Sequence, residues 1–218
     1  MANGFDLAAA KAAIAQSGYD GREIAVLGIV GESGSGKSNV ARAIVALNKV
    51  TGGEIPFAGK PVTGLGGAPL EAFGRAVRMV FQGPFDSINP RISVQRSIAE
   101  PIWRHRLASR VKAMDRALEL APRVLIADEV TSALDVTIQA QILRLLTRLR
   151  KERNLTVLYI SHDLTVMRKF CDRAAVFRHG KRIEMRETGA LFADPESAYA
   201  RDLIAAAPDL DAAIAQRA

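Results

Sequence analysis

One eight-residue stretch constrains this chain more than any other: Gly31-Glu32-Ser33-Gly34-Ser35-Gly36-Lys37-Ser38, set between an apolar run at 24–30 and a helical pattern at 39–47. Its glycines let the backbone curl so that successive N–H groups face one concavity, and the helix that follows adds a positive partial charge at its N-terminus. Such a cradle suits phosphate. Strand, loop and helix in that order make a P-loop, which predicts a nucleoside triphosphate held by Gly31, Glu32, Ser33, Gly34, Ser35, Gly36, Lys37, Ser38 and Asn39. Lys37 reaches the β- and γ-phosphates as a point charge, and the Ser38 hydroxyl is placed to ligate the accompanying Mg²⁺.

Further short apolar runs, at 77–81, 124–127, 155–160 and 174–177, alternate with helical patterns. Near-continuous hydrophobic runs belong to strands covered on both faces, so the expected fold is α/β with a largely parallel sheet. Residues 136–153 place Ile138, Ile142, Leu145, Leu146 and Leu149 at helical spacing, with Arg144, Arg148 and Lys151 on other faces. Between 49 and 74 the Gly and Pro content predicts turns and short strands around 54–57. From 193 onward the alanine-rich chain is predicted helical, broken at Pro195 and Pro208.

The run at 124–127 ends in two carboxylates, Asp128 and Glu129. In a P-loop fold that strand lies beside the phosphate loop, so Asp128 can hold Mg²⁺ through its water shell. Glu129 then faces the γ-phosphate and is the candidate for orienting or deprotonating the attacking water.

Three further blocks make the chain resemble the nucleotide-binding subunits of ATP-binding cassette (ABC) transporters, in particular the oligopeptide, dipeptide and nickel importer group. Residues 80–91, Val-Phe-Gln-Gly-Pro-Phe-Asp-Ser-Ile-Asn-Pro-Arg, resemble that group's Q-loop; residues 131–135, Thr-Ser-Ala-Leu-Asp, its D-loop; residues 159–164, Tyr-Ile-Ser-His-Asp-Leu, its switch region. The tail at 191–203 is similar to the end of peptide-importer ATPases. The resemblance implies that Gln82 senses metal and water, joining Ser38 and Asp128 around Mg²⁺, and that His162 contacts the γ-phosphate. It implies an ABC-type ATPase domain at 22–192 with a shortened helical subdomain at about 92–122, a helical tail at 193–218, and a helix or strand region at 1–21 outside it. It also implies ATP and Mg²⁺ as ligands, membrane-embedded transporter subunits as partners, and a peripheral place on the cytoplasmic face of the membrane.

The chain departs from the family in one large respect. The Leu-Ser-Gly-Gly-Gln signature, expected between the Q-loop and the acidic strand, is missing: residues 117–123 run straight into that strand. In the family each signature closes over the partner's P-loop, so a homodimer would lack half of both composite sites, whereas in a heterodimer a second ATPase subunit completes the site built on Lys37 and Glu129. A heterodimer is therefore expected over a homodimer, and the alternative is a nucleotide-binding module that does not turn over. Smaller departures are Val130 for the usual proline, Gly83 for aspartate and Asn39 for threonine. Phe5 and Tyr19 are each candidates for stacking a base and equally for packing.

Composition narrows the classes. A net charge of +7 raises nucleic acid as a partner, but the arginines are scattered and no aromatic-interleaved basic stripe exists, so nucleic-acid binding is not expected. No apolar stretch reaches the roughly 18 residues of a membrane span, and the N-terminus lacks a basic start with a hydrophobic run, so the chain is expected to stay in the cytosol. Cys171 is the single cysteine, which excludes an internal disulfide and predicts a buried small hydrophobe.

Overall fold

The computed structural model describes residues 26–83, 92, 94–104, 109, 122–132 and 134–207. Phe5, Tyr19, the Q-loop groove at 84–91, Ala133 and the chain beyond 207 lie outside the described residues. Six strands form one sheet in the order β4-β5-β6-β1-β7-β8, made of β1 (Val26–Val30), β4 (Val77–Val80), β5 (Val124–Asp128), β6 (Thr156–Ile160), β7 (Arg173–Arg178) and β8 (Lys181–Glu187). All neighbours pair parallel except β7 and β8, which form an antiparallel hairpin at one edge. A separate two-stranded hairpin joins β2 (Pro56–Phe57) to β3 (Lys60–Pro61).

Period-two alternation sorts the apolar side chains onto two faces. Val26 and Val30 of β1, Val157 and Tyr159 of β6 and Ala174 and Val176 of β7 enter one core, with Leu146, Met167, Leu191 and Ala200 from the helices. Ile29, Ile126, Leu158, Ile160, Ala175 and Phe177 enter the other, with Val40, Ala41 and Phe73. The runs read as continuous in the sequence because both faces are covered. Cys171 is buried, as expected, beside Met167.

The helices are α1 (Lys37–Ile44), α2 (Gly67–Ala76), α3 (Val94–Arg104), α4 (Val136–Arg153), α5 (Leu164–Phe170), α6 (Thr188–Ala193) and α7 (Ala198–Ala205). Helix α4 matches its predicted bounds; Asp135 caps its start by accepting from the Ile138 amide, and Asn154 ends it at φ 50 in the left-handed region.

Three expectations need correction. The helix after the P-loop begins two residues earlier than read and ends at Ile44, leaving Leu47 61% exposed. The stretch read as turns and short strands up to Gly74 contains α2, whose Pro69 sits in the first turn, where no intrahelical donor is needed, and whose Phe73 packs edge-on to Phe57 at 5.4 Å. Strand β8 was not anticipated: it carries five charged residues in seven and gives no apolar run, because an edge strand buries little more than Glu184.

Candidate functional site

Strands β5, β6 and β1 are neighbours, and their C-terminal ends are level: Ile160 is in register with both Asp128 and Ile29. Past the last paired residues the ladder continues for one step. The Glu129 amide donates to the Ile160 carbonyl at 3.0 Å, and the Ser161 amide to the Ile29 carbonyl at 3.2 Å. The P-loop, the two acids and the Ser161–His162 segment are thereby held on one edge, the carboxyl side of the strands, where open α/β sheets bind ligands.

Within the P-loop, Lys37 curls back into the concavity. Its Nζ donates to the carbonyls of Gly31 at 2.8 Å and Glu32 at 2.9 Å and to Ser35 Oγ at 3.4 Å. Burial pushes the Lys37 pKa down, against the pull of Glu129 and Asp128, and the side chain is only 4% exposed. Gly31 and Ser35 are buried with it, while Glu32, Ser33, Gly34 and Asn39 form an exposed rim. Gly31 cannot carry a side chain, because a Cβ there would collide with the Phe177 carbonyl of β7. Gly36, at φ 96, is the left-handed residue that turns the loop into α1.

Asp128 meets this loop directly: Ser38 Oγ donates to its Oδ1 at 3.0 Å. Asp128 as a residue is 2% exposed. Burial raises its pKa, the Ser38 hydrogen bond opposes that, and neighbouring Glu129 raises it further. A buried carboxylate in this position gains from a cation. The oxygens of Asp128 and Ser38 are the hard donors that Mg²⁺ takes, and one or two protein ligands completed by water and phosphate oxygens suit that ion. Among the described residues no cluster of three His, Cys, Asp or Glu side chains converges as a metal cage. The donor set therefore fits Mg²⁺ arriving with a phosphate.

Glu129 stands next, on backbone at φ 49, with its carbonyl receiving the Ser132 amide at 3.2 Å and the Ser132 hydroxyl at 2.9 Å. Its carboxylate Oε1 lies 3.5 Å from His162 Nδ1. The glutamate side chain is 17% exposed and the imidazole 58% exposed, so the pair borders solvent.

The structure thus gathers Lys37, Ser38, Asp128, Glu129 and His162. Gln82 differs: it is exposed, two residues beyond the end of β4, and among the described residues makes no hydrogen bond to Ser38 or Asp128. Its common ground with the site is that Val80 is in register with Ala127, so both chains leave the sheet at one edge.

Two supports escaped the sequence reading. The Gly180 amide, in the β7–β8 turn, donates to the Ser35 carbonyl at 2.8 Å and so props the P-loop from behind. The Thr131 and Tyr159 hydroxyls, on the segment after Glu129 and on the strand before His162, lie 2.8 Å apart. A signal for the second was present: a tyrosine inside an apolar strand needs a polar partner.

Known proteins resemble this chain in sequence and fold. The family model described as ABC transporter matches residues 19–153. A putative oligopeptide transport ATP-binding protein, YkfD of Bacillus subtilis, is 35% identical over 222 residues, covering 86% of this chain and 68% of that protein. The oligopeptide transport ATP-binding protein OppF of Escherichia coli is 36% identical over 225 residues, covering 87% and 66%. The chain spans about two thirds of the length of these curated relatives. Each aligned stretch is longer than the whole 218-residue chain while covering only part of it, so the relatives carry internal residues that this chain lacks. Among solved structures, a dimeric ATP-binding cassette in a post-hydrolysis state bound to ADP and Pi superposes with a TM-score of 0.64 at 25% identity, covering 76% of this chain and 88% of that one.

Proposed function

Because this chain belongs to the ABC transporter family, we propose that it is an ATP-binding and ATP-hydrolysing subunit that drives a peptide-type importer. The observation that carries the reading is the convergence of Lys37, the Ser38–Asp128 pair and the Glu129–His162 pair on the ends of three adjacent strands. Lys37 exchanges loop carbonyls for phosphate oxygens. Ser38 and Asp128 would hold the metal, with Gln82 assigned to the same ion by family resemblance. Mg²⁺, when bound, would supply positive charge to the phosphate oxygens. Glu129 orients the attacking water and takes its proton on the carboxylate, and His162, beside it, meets the γ-phosphate. In this reading 22–192 form the ATPase domain and 193–218 a tail.

Two partners follow. Without a Leu-Ser-Gly-Gly-Gln signature in the chain, donors to the γ-phosphate from across the dimer come from a second, non-identical ATPase subunit. Membrane-embedded subunits supply the passage, since no helix among the described residues is long and apolar enough to cross a membrane. The peptide transport named for OppF and YkfD supports the substrate class.

Calorimetry with Mg²⁺ and ATP is the first test: the chain binds, and Lys37→Ala weakens binding by about 100-fold, as expected for removing one partner of a desolvated charge contact. Turnover is then measured for the chain alone and with a signature-bearing ATPase partner. Hydrolysis in the pair that disappears in Glu129→Gln supports the reading. Binding without turnover in every pairing leaves a nucleotide-binding module instead, and binding untouched by Lys37→Ala overturns the site.

A further inference from the structure

Glu129 and His162 sit on the two segments that follow β5 and β6, and their own contact is weak: 3.5 Å is at the limit of a hydrogen bond, and the imidazole is largely in solvent. Glu129 also occupies strained backbone, which persists only where the surroundings over-determine it. The Glu129–Ile160 main-chain bond joins the two segments where they leave the sheet, and side-chain contacts join them beyond it.

A chain of buried and half-buried side chains lies behind the pair. Tyr159, fully buried on β6, has its hydroxyl 2.8 Å from Thr131 Oγ1, itself 3% exposed. Gln139, in the first turn of α4, donates from Nε2 to Thr131 Oγ1 and to Asp163 Oδ2, each at 3.4 Å. Asp163 is anchored in turn. Its Oδ1 receives the Thr165 and Val166 amides at 2.9 and 3.2 Å, capping α5, and its own amide donates to Ser161 Oγ at 3.0 Å. The short Thr131–Tyr159 contact is the firm link and the two long Gln139 contacts extend it to Asp163; polar groups joined in this way stiffen the segments that carry them.

We infer that Thr131, Gln139 and Tyr159 are positioning residues, forming a clamp that ties the residue two beyond Glu129 to the residue after His162 and so sets the separation of carboxylate and imidazole. The inference rests on the hydrolytic reading for its consequence, but not for its geometry. Among the described residues no hydrogen bond runs from the clamp to Lys37, Ser38 or Asp128, so its loss separates turnover from nucleotide binding.

The test uses Thr131→Val, which removes the shared hydroxyl at nearly constant volume, and Gln139→Leu at a half-buried position, with Thr131→Ser as the conservative variant. Amide hydrogen exchange is read at Glu129, which is bonded to Ile160, and at Asp163, which is bonded to Ser161. Exchange at both rises about tenfold together, while amides of β1 are unchanged. Turnover with the ATPase partner falls about tenfold in kcat at constant KM, and the Kd for ATP with Mg²⁺ stays within about twofold. Thr131→Ser restores both. The clamp is overturned by unchanged exchange, by a response in one segment only, or by a loss of binding as large as the loss of kcat. If the parent chain turns over in no pairing, the hydrolytic reading fails while exchange still decides the clamp.

Discussion

Glu129 joins chemistry and strain in one residue. A non-glycine residue in the left-handed region costs about 1–2 kcal/mol, and Glu129 sits there at φ 49. The conformation aims its carboxylate at His162 while its amide stays on β6. Two variants that both lack the carboxylate isolate the backbone contribution: Glu129→Gly should be more stable than Glu129→Ala by about 0.5–1 kcal/mol, after the greater unfolded-state entropy of glycine is set against relief of strain. Denaturant midpoints at unchanged slope measure it, and equal midpoints would remove the claim of strain. At this scale the candidate residues were readable in advance: Lys37 and Ser38 from the glycine-rich loop, Asp128 and Glu129 from the end of an apolar run, and His162 from the block that resembles the family's switch region. Thr131 and Gln139 were not, because a hydroxyl and an amide become a clamp only when folding sets them against Tyr159 and Asp163.

Among the elements, β8 shows how a charged strand is anchored. Glu184, 6% exposed, accepts the amides of Glu196 and Ser197 at 2.9 Å each and the Ser197 hydroxyl at 2.8 Å, and so fixes the turn that starts α7. Burial works to raise its pKa, but those donors and the Arg186 charge together outweigh it, and the net shift is downward. A depressed carboxylate pKa stabilises the fold above the ordinary glutamate range, and that contribution is lost as pH falls through the lowered folded value. Glu184→Gln should therefore cost about 1.5–3 kcal/mol at pH 7, with the gap to the parent closing as pH drops below about 4. Urea unfolding of both proteins across pH tests the sign, and a gap that widens in acid would refute it. The strand and α2 were both missed because their stability comes from partners outside the element itself: the α7 cap for one, Phe57 for the other.

For the whole molecule, the order β4-β5-β6-β1-β7-β8 brings together segments far apart in the chain. The first described strand stands between the later β6 and β7, so the P-loop falls beside Asp128, Glu129 and His162. A site assembled in this way exists only in the folded state, so its ligand stabilises the fold by mass action. ATP with Mg²⁺ at about 100 times its Kd should add about 2.7 kcal/mol, or about 5–10 °C in Tm for a chain of this length. ATP with a chelator should give less, and Lys37→Ala at the same ligand concentration should keep only about 0.4 kcal/mol, as 100-fold weaker binding requires; differential scanning calorimetry decides it. An equal shift with and without the metal would remove Ser38 and Asp128 from a metal role.

Residue order was enough to establish the phosphate loop, the paired acids, the apolar strands and the family, because glycine placement and hydrophobic runs act within a few neighbouring residues. Missing signature residues were legible for the same reason. Packing decided the prop from Gly180 to Ser35 and which partners Tyr159 and Gln139 take, and among the described residues it gives Gln82 no bond with Ser38 or Asp128. Those relations run between segments up to about 145 residues apart, and no local pattern encodes contacts that arise only when the sheet stacks its strands out of chain order.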